Sequence, residues 1–238
     1  MEISRSLRLA APYALRRGAA SLLAAALMSA ALLGAAGPAF ASETAPLDAE
    51  AAAEPAPGRV SAAAIEALIP LAAEIGDVGK LEVYYEPAPA PNIVFSDVDG
   101  DPVALSDFRG RIVLVNFWAT FCPPCIEEMP ALDALQTALG GEAFEVVAIN
   151  VDLISAARAR AWLATNGIDA LAFYRDQSRQ SALAFGERAL PLTLLIDRSG
   201  AEVGRLIGAA KWDSETAKEA ISLLIDDIDD MAAAKPDA

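Results

Sequence analysis

The 238-residue chain has two cysteines, Cys122 and Cys125, three positions apart in the segment F-W-A-T-F-C-P-P-C-I-E-E-M-P. Thiols at this spacing can form a disulfide that opens and closes again. Such a disulfide would contribute little to stability. Closing a four-residue loop stabilises a fold by only about 2 kcal/mol, against about 4.7 kcal/mol for a hundred-residue loop. The spacing therefore predicts redox chemistry, in preference to a structural bridge or two reduced core cysteines.

The two prolines between the cysteines suggest a role for each thiol. A residue before proline is disfavoured in the helical region, so Cys122 and Pro123 are expected to be extended, with Pro124 as the first residue of a helix. Cys122 would then lie just outside the helix N-terminus, where the helix dipole favours a thiolate. We predict that Cys122 attacks the substrate and that Cys125, one turn inside the helix and more buried, resolves the mixed disulfide.

The same prolines bear on the direction of electron flow. Proline carries no backbone N–H, so the N–H of Cys125 becomes the nearest backbone donor to the sulfur of Cys122. A thiolate with fewer donors is less stabilised, and a dithiol whose reduced form is less stable is a weaker oxidant. The sequence therefore favours a reductant as the working hypothesis.

Glu128 follows Cys125 by three residues and shares its face of the expected helix. A carboxylate beneath the sulfurs could accept the proton of Cys125 when that thiol attacks. The alternative is a first-turn carboxylate that complements the helix dipole. Glu127, its neighbour, is expected to face solvent.

A second candidate segment is Leu190-Pro191, which begins a strand after a short helix. A cis X-Pro bond at such a place can expose backbone to a bound peptide, and an ordinary trans turn is the alternative.

The elements around these residues alternate between strands and helices. The continuous apolar run at residues 112–118 is typical of a strand buried on both faces, and a helix at 124–139 ends at Gly140-Gly141. An acidic turn separates two short strands that predict a hairpin, at 93–95 and 103–105. Further strands are predicted at 144–151, 171–174, 192–197 and 202–207, and further helices at 155–166, 177–185 and 213–232. This order predicts an α/β fold with a central mixed sheet and helices on both faces.

The N-terminal region is predicted to be separate from this domain. Four arginines precede an apolar stretch, and Ala39-Phe40-Ala41 resembles a cleavage site, so residues 1–41 predict an export signal. An uncleaved anchor through residues 18–40 is the alternative, and either form would place the body in the periplasm. Residues 42–59 predict a flexible linker, 60–91 a helical extension with a helix capped by Ser61, and 92–238 the main domain.

Composition excludes several kinds of site. The chain has no histidine, which removes Ser-His and Cys-His catalysis, and two cysteines alone make a poor zinc site. Its net charge of −15 argues against nucleic acid and anionic membranes as partners and favours partners with basic faces. No cofactor or metal is expected beyond a redox-active disulfide between Cys122 and Cys125.

The segment R-G-R-I-V-L-V-N-F-W-A-T-F-C-P-P-C-I-E-E-M-P resembles the thioredoxin superfamily, specifically its TlpA/ResA-like exported thiol–disulfide oxidoreductases. The resemblance covers about residues 92–231 and includes A-L-P-L-T-L-L-I-D-R-S-G, where Pro191 matches the family's cis-proline. It implies a thioredoxin-like three-layer fold, and Glu128 matches the active-site glutamate. Asn116 stands where cytoplasmic thioredoxins carry a buried aspartate, and Phe121 replaces a tryptophan. The residues expected to contact substrate are Phe121, Pro123, Pro124, Leu190 and Pro191.

The resemblance also implies partners. The expected substrates are cysteine-containing envelope proteins of the cytochrome c or oxidase assembly type, and a membrane thiol reductant would recycle the dithiol. Three alternatives remain: a disulfide oxidase or isomerase, a non-catalytic peptide-binding module, and a copper-handling module. The last has little support, because the chain offers no histidine and only four methionines.

Overall fold

The computed structural model of the chain describes residues 58–76 and 80–233. The predicted export signal at 1–41, and the linker up to residue 57, lie outside the described residues. None of the helices within the described ranges is both long and apolar enough to cross a membrane.

Strands and helices alternate through most of the described chain. The helices are α1 (Ala62–Ala72), a 3-10 helix (Leu105–Phe108), α2 (Pro123–Leu139), α3 (Ala156–Thr165), α4 (Gln180–Ala184) and α5 (Glu215–Ala233). The strands are β1 (Glu82–Pro89), β2 (Val94–Ser96), β3 (Pro102–Ala104), β4 (Ile112–Trp118), β5 (Phe144–Asn150), β6 (Tyr174–Arg175), β7 (Leu192–Ile196) and β8 (Ala201–Ile207).

The strands form one mixed sheet in the order β1-β8-β7-β4-β5-β6-β2-β3. β4 and β5 run parallel, as do β5 and β6, whereas β7 is antiparallel to both β4 and β8. All seven residues of β4 are buried, as expected for the continuous apolar run in its sequence. The predicted α/β class, a central mixed sheet flanked by helices, is confirmed, and the predicted hairpin is present as β2 and β3.

The domain boundary near residue 91 stays a prediction, but residues 60–91 contain a strand as well as the expected helix. α1 begins after its N-cap Ser61 as expected, but the chain then forms β1, which pairs antiparallel with β8 and extends the central sheet. Proline is tolerated in β1 because β1 is an edge strand. The N–H groups on its outer side have no neighbouring strand to bond, so a missing N–H there costs no hydrogen bond of the sheet. The Pro-Ala-rich residues 86–91 thus include the last residues of an edge strand.

Gly204 allows β1 to approach β8 closely. A Cβ built on Gly204 would lie 2.3 Å from the carbonyl oxygen of Glu82, so Gly204→Ala must push β1 outward. We expect the free energy of unfolding to fall by about 2 kcal/mol and the β1 amides to exchange faster with solvent. Urea denaturation and hydrogen exchange measure these effects.

Gly141→Ala is the matched control, because a Cβ at Gly141 meets no heavy atom of the described residues within 4 Å. It should leave the free energy of unfolding within about 0.5 kcal/mol of the parent value. Equal losses in the two variants would contradict the assignment of a steric role to Gly204.

Candidate active site

The two cysteines lie between the end of β4 and the start of α2. They form a disulfide with an S–S distance of 2.07 Å and a Cα–Cα distance of 5.3 Å. Cys122 is the N-cap of α2, with extended backbone at φ −102° and ψ 101°. Cys122 is 7% exposed and Cys125 is fully buried, so an incoming disulfide can reach only the first of the two sulfurs.

The predicted helix start at Pro124 is one residue late, because α2 begins at Pro123. The pre-proline effect disfavours helical backbone at Pro123, but its own ring already fixes φ near the helical value. Neither proline needs an N–H in the first turn, where N–H groups have no intrahelical partner. Cys122 still lies outside the helix, at its N-terminus.

The sulfur of Cys122 has one backbone donor among the described residues. The N–H of Cys125 donates to it at 3.3 Å, while Pro123 and Pro124 contribute no N–H. The N–H of Cys125 is therefore the backbone donor to this sulfur, as predicted.

Asp152 supports the loop that carries Cys122. Its buried carboxylate accepts the backbone N–H of Thr120 at 3.0 and 3.2 Å and the amide Nδ2 of Asn150 at 2.8 Å. Asp152 was not predicted as a site residue. A signal was available, because Asp152 lies two residues after the end of β5, and the carboxyl ends of the parallel strands β4 and β5 meet at one edge of the sheet.

Glu128 is 2% exposed and lies one turn after Cys125 on α2. One carboxylate oxygen accepts Nδ2 of Asn116 at 2.8 Å, and the other accepts the N–H of Ala210 at 3.1 Å and Nε1 of Trp212 at 3.2 Å. Burial raises the pKa of Glu128 to about 7, and the three hydrogen bonds limit the rise. Such a carboxyl can take and release a proton near neutral pH. Glu127 is exposed, as expected.

Asn116 connects Glu128 to the neighbouring strand. Its Nδ2 also donates to Oγ1 of Thr193 at 2.9 Å, and Asn116 and Thr193 are paired across β4 and β7. Its Oδ1 is buried and has no hydrogen-bond partner among the described residues. Asn116, at the position where cytoplasmic thioredoxins carry an aspartate, thus donates to the buried carboxylate of Glu128 on α2.

Leu190-Pro191 lies at the same edge of the sheet as the disulfide. The bond between them is cis. The next residue, Leu192, pairs with Phe117 of β4, five positions before Cys122. Pro191 is buried, and its carbonyl accepts the N–H of Gly208 at 2.9 Å, whereas Leu190 is partly exposed.

The remaining expected contact residues surround the disulfide on its solvent side. Pro123 and Pro124 are exposed, and the ring of Phe121 is 59% exposed. The guanidinium of Arg179 lies over that ring, 5.3 Å from its centroid. Arg179 could not be predicted as a neighbour of Phe121, because no local pattern links a residue at the start of α4 to a loop 58 positions earlier. Within the described residues, no group of three or more Cys, Asp or Glu side chains is arranged to hold a metal ion.

Comparison with known proteins gives consistent matches. The redoxin family model matches residues 86–221. ResA of Geobacillus kaustophilus (strain HTA426), a thiol-disulfide oxidoreductase, is 34% identical over 134 residues, which are 56% of this chain and 75% of that protein. ResA of Bacillus thuringiensis (strain Al Hakam) is 31% identical over 119 residues, which are 50% of this chain and 68% of that protein.

A solved structure from Chlorobium tepidum, assigned as a DsbE thiol:disulfide interchange protein, superposes with a TM-score of 0.53 and 28% identity. The match covers 59% of this chain and 97% of that chain. The residues matched by the family model include the loop with the two cysteines, the buried glutamate and the cis-proline segment.

Proposed function

We propose, from the premise that this chain belongs to the redoxin family and is a thiol–disulfide oxidoreductase, that it is exported and reduces disulfides in envelope proteins. Residues 1–41 would direct export, either as a cleaved signal or as an anchor in the inner membrane. The substrates would be cysteine pairs of the cytochrome c or oxidase assembly type. A membrane thiol reductant would return the disulfide of this chain to the dithiol.

The reaction follows from the unequal burial of the two sulfurs. The thiolate of Cys122 attacks a substrate disulfide, so that one substrate sulfur leaves as a thiolate and the other becomes bonded to Cys122. Cys125 then loses its proton and attacks the sulfur of Cys122, which releases the second substrate thiol and closes the Cys122–Cys125 disulfide. Two electrons have passed from this chain to the substrate.

Glu128 is the proton acceptor for the second step. Cys125 is fully buried, so water cannot readily take its proton, and a carboxyl with a pKa of about 7 lies one turn further along α2. The substrate backbone would lie against Leu190 and Pro191, with Phe121, Pro123 and Pro124 forming the exposed rim. Leu190 makes no backbone hydrogen bond with another described residue, so its N–H and C=O are available to an extended peptide.

The single observation that supports a reductant is the donor count at the Cys122 sulfur. One backbone N–H reaches it, and the two prolines remove the two that would otherwise be nearest. We therefore expect a redox potential closer to the about −270 mV of thioredoxin than to the about −120 mV of the oxidant DsbA. A measured value near the latter would favour the oxidase alternative instead.

Restoring donors tests the cause of this potential. The double variant Pro123→Ala/Pro124→Ala should raise the potential by about 30 mV, the equivalent of one hydrogen bond of about 1.5 kcal/mol to a charged sulfur. Pro130→Ala is the control, since Pro130 is exposed on the same helix, two turns from Cys122. Equal shifts in both variants would contradict the role given to the missing N–H groups.

Trapping identifies the partners. A Cys125→Ser chain expressed in its native envelope should accumulate mixed disulfides on Cys122, because the resolving thiol is absent. Cys122→Ser should accumulate none. If Cys125→Ser captures no envelope protein, the proposed reductase function is wrong.

A further inference from the structure

A groove of about 200 Å³ lies next to the cis-proline segment, with Arg179 and Leu190 among its lining residues. Its floor is apolar, and Leu183 within it is 37% exposed. The apolar lining residues are Val151, Ala182, Leu183 and Leu190. Leu190 precedes the cis-proline and Val151 follows β5, so the groove lies at the same edge of the sheet as the loop with the two cysteines.

Arg179 is held firmly at the wall of this groove. Its Nε donates to the carbonyl of Val151 at 3.0 Å, and its guanidinium stacks over the ring of Phe121. Its backbone is left-handed, with φ 61°, and it alone among the described non-glycine residues has a positive φ. Left-handed backbone is unfavourable for a residue that carries a Cβ. Backbone of this kind is found disproportionately where a side chain must be aimed at a functional site.

The two terminal nitrogens of Arg179 have no partner within the described part of the chain. Only Nε is engaged, so the Nη1 and Nη2 groups keep their N–H donors for a ligand. A guanidinium fixed at one edge, with both terminal nitrogens open, matches the two oxygens of a carboxylate. The stacking on Phe121 lowers the entropy that Arg179 would otherwise lose on binding.

The other charged residues of the groove leave it cationic. Arg188 adds a second positive charge. The carboxylate of Glu187 accepts the N–H groups of Arg188 and Ala189 at 2.7 and 2.8 Å, and these bonds hold its pKa below the usual range. Glu187 is thus occupied by its own loop, in a groove with two arginines, on a chain whose net charge is −15.

We propose that this groove is a subsite for an aspartate or glutamate of the substrate protein, close in sequence to the cysteine that Cys122 attacks, and that Arg179 binds its carboxylate. The inference rests on the proposed function, since the ligand is part of a disulfide substrate. It also refines the expectation of partners with basic faces. The net charge acts over a Debye length of about 8 Å or more, whereas Arg179 acts at contact.

Three peptides with the same disulfide test the subsite. They differ at one position next to the attacked cysteine, which is Asp, Asn or Lys, and the second-order rate constant for oxidation of the reduced full chain is measured with each. We expect the order Asp above Asn above Lys. Arg179→Gln should reduce the Asp-to-Asn ratio about five- to tenfold, and Arg179→Glu should place Lys above Asp.

Arg160→Gln is the matched control, because it also removes one positive charge but Arg160 is exposed on α3 and lines a different cavity. It should leave the Asp-to-Asn ratio unchanged. The inference is overturned if Arg179→Gln preserves the Asp-to-Asn ratio, or if Arg160→Gln lowers it equally. Should the parent chain reduce none of the three peptides, the proposed function itself fails. Arg179→Lys keeps the positive charge but lacks the paired N–H donors of the guanidinium, so it should retain part of the preference for Asp over Asn. This retained preference would show that loss in the other variants does not come from a folding defect.

Discussion

Replacing Glu128 by glutamine is expected to slow the release of substrate from the Cys122 mixed disulfide about a hundredfold, the typical lower range for loss of a positioned general base. Cys125 must lose a proton as it attacks, and the buried glutamine cannot accept it. Attack by Cys122 precedes this step, so mixed disulfide should accumulate even though Cys125 is present. Single-turnover reduction of a peptide disulfide, quenched with acid and resolved by mass, measures both species.

The glutamine variant should fold, because the site can satisfy an amide. The carboxylate oxygens of Glu128 face three donors, on Asn116, Ala210 and Trp212. A glutamine NH₂ needs an acceptor in place of one of these donors. Oδ1 of Asn116, which has no partner among the described residues, can be that acceptor if the Asn116 amide rotates by 180°. Glu127→Gln is the matched control on the exposed neighbour and should release substrate at the parent rate. A glutamine variant that also releases at the parent rate would rule out Glu128 as the proton acceptor.

The same substitution changes how both rate and stability depend on pH. The release rate of the parent should rise between pH 6 and pH 8, because Glu128, with a pKa of about 7, must be ionised to accept a proton. The stability effect has the opposite sign. The folded state keeps a proton that the unfolded chain gives up above pH 4.5, so this contribution to stability is complete below pH 4.5 and is lost as the pH rises to about 7. The loss amounts to about 3 kcal/mol, and the difference between parent and glutamine variant in urea denaturation isolates it.

The reactive loop could be predicted from the sequence because its chemistry is local. The order of Cys122, Pro123, Pro124 and Cys125 fixes which N–H groups exist near the sulfur and which thiol is at the helix end. The apolar run of β4 fixes where the loop emerges from the sheet. These properties depend on a few adjacent residues and on backbone sterics.

The surroundings of Glu128 could not be predicted in this way. Its pKa depends on burial together with donors from β4 and from the segment after β8, up to 84 positions away. Neither Asn116 nor Trp212 carries a local signal for that contact, since each also fits an ordinary buried position. β1 was missed for a related reason, because its strand structure depends on pairing with β8, which lies more than 100 residues later in the chain.

The Asn116→Asp variant is expected to lower the free energy of unfolding by about 4 kcal/mol at pH 8, and by about 1 kcal/mol or less at pH 4.5. Asn116 is fully buried, and its Nδ2 lies 2.8 Å from a carboxylate oxygen of Glu128. An aspartate there places two carboxyl groups in contact, and the pair can ionise fully only at a large cost. The folded state therefore retains a proton that the unfolded chain releases above about pH 4, so stability falls as the pH rises.

The pH dependence of the release rate should also show the interaction between the two carboxyl groups. With a second carboxyl group beside it in the Asn116→Asp variant, Glu128 would hold its proton to higher pH, and the release-rate profile should move upward from about pH 7 by at least a unit. Asn92→Asp is the matched control, because Asn92 is exposed and its Oδ1 accepts the N–H of Ser106, a bond that an aspartate keeps. That variant should change neither the stability difference between pH 4.5 and pH 8 nor the profile. If Asn116→Asp were as stable at pH 8 as at pH 4.5, residue 116 and Glu128 could not be in contact in a buried site, and the buried setting given to the proton acceptor of Cys125 would be wrong.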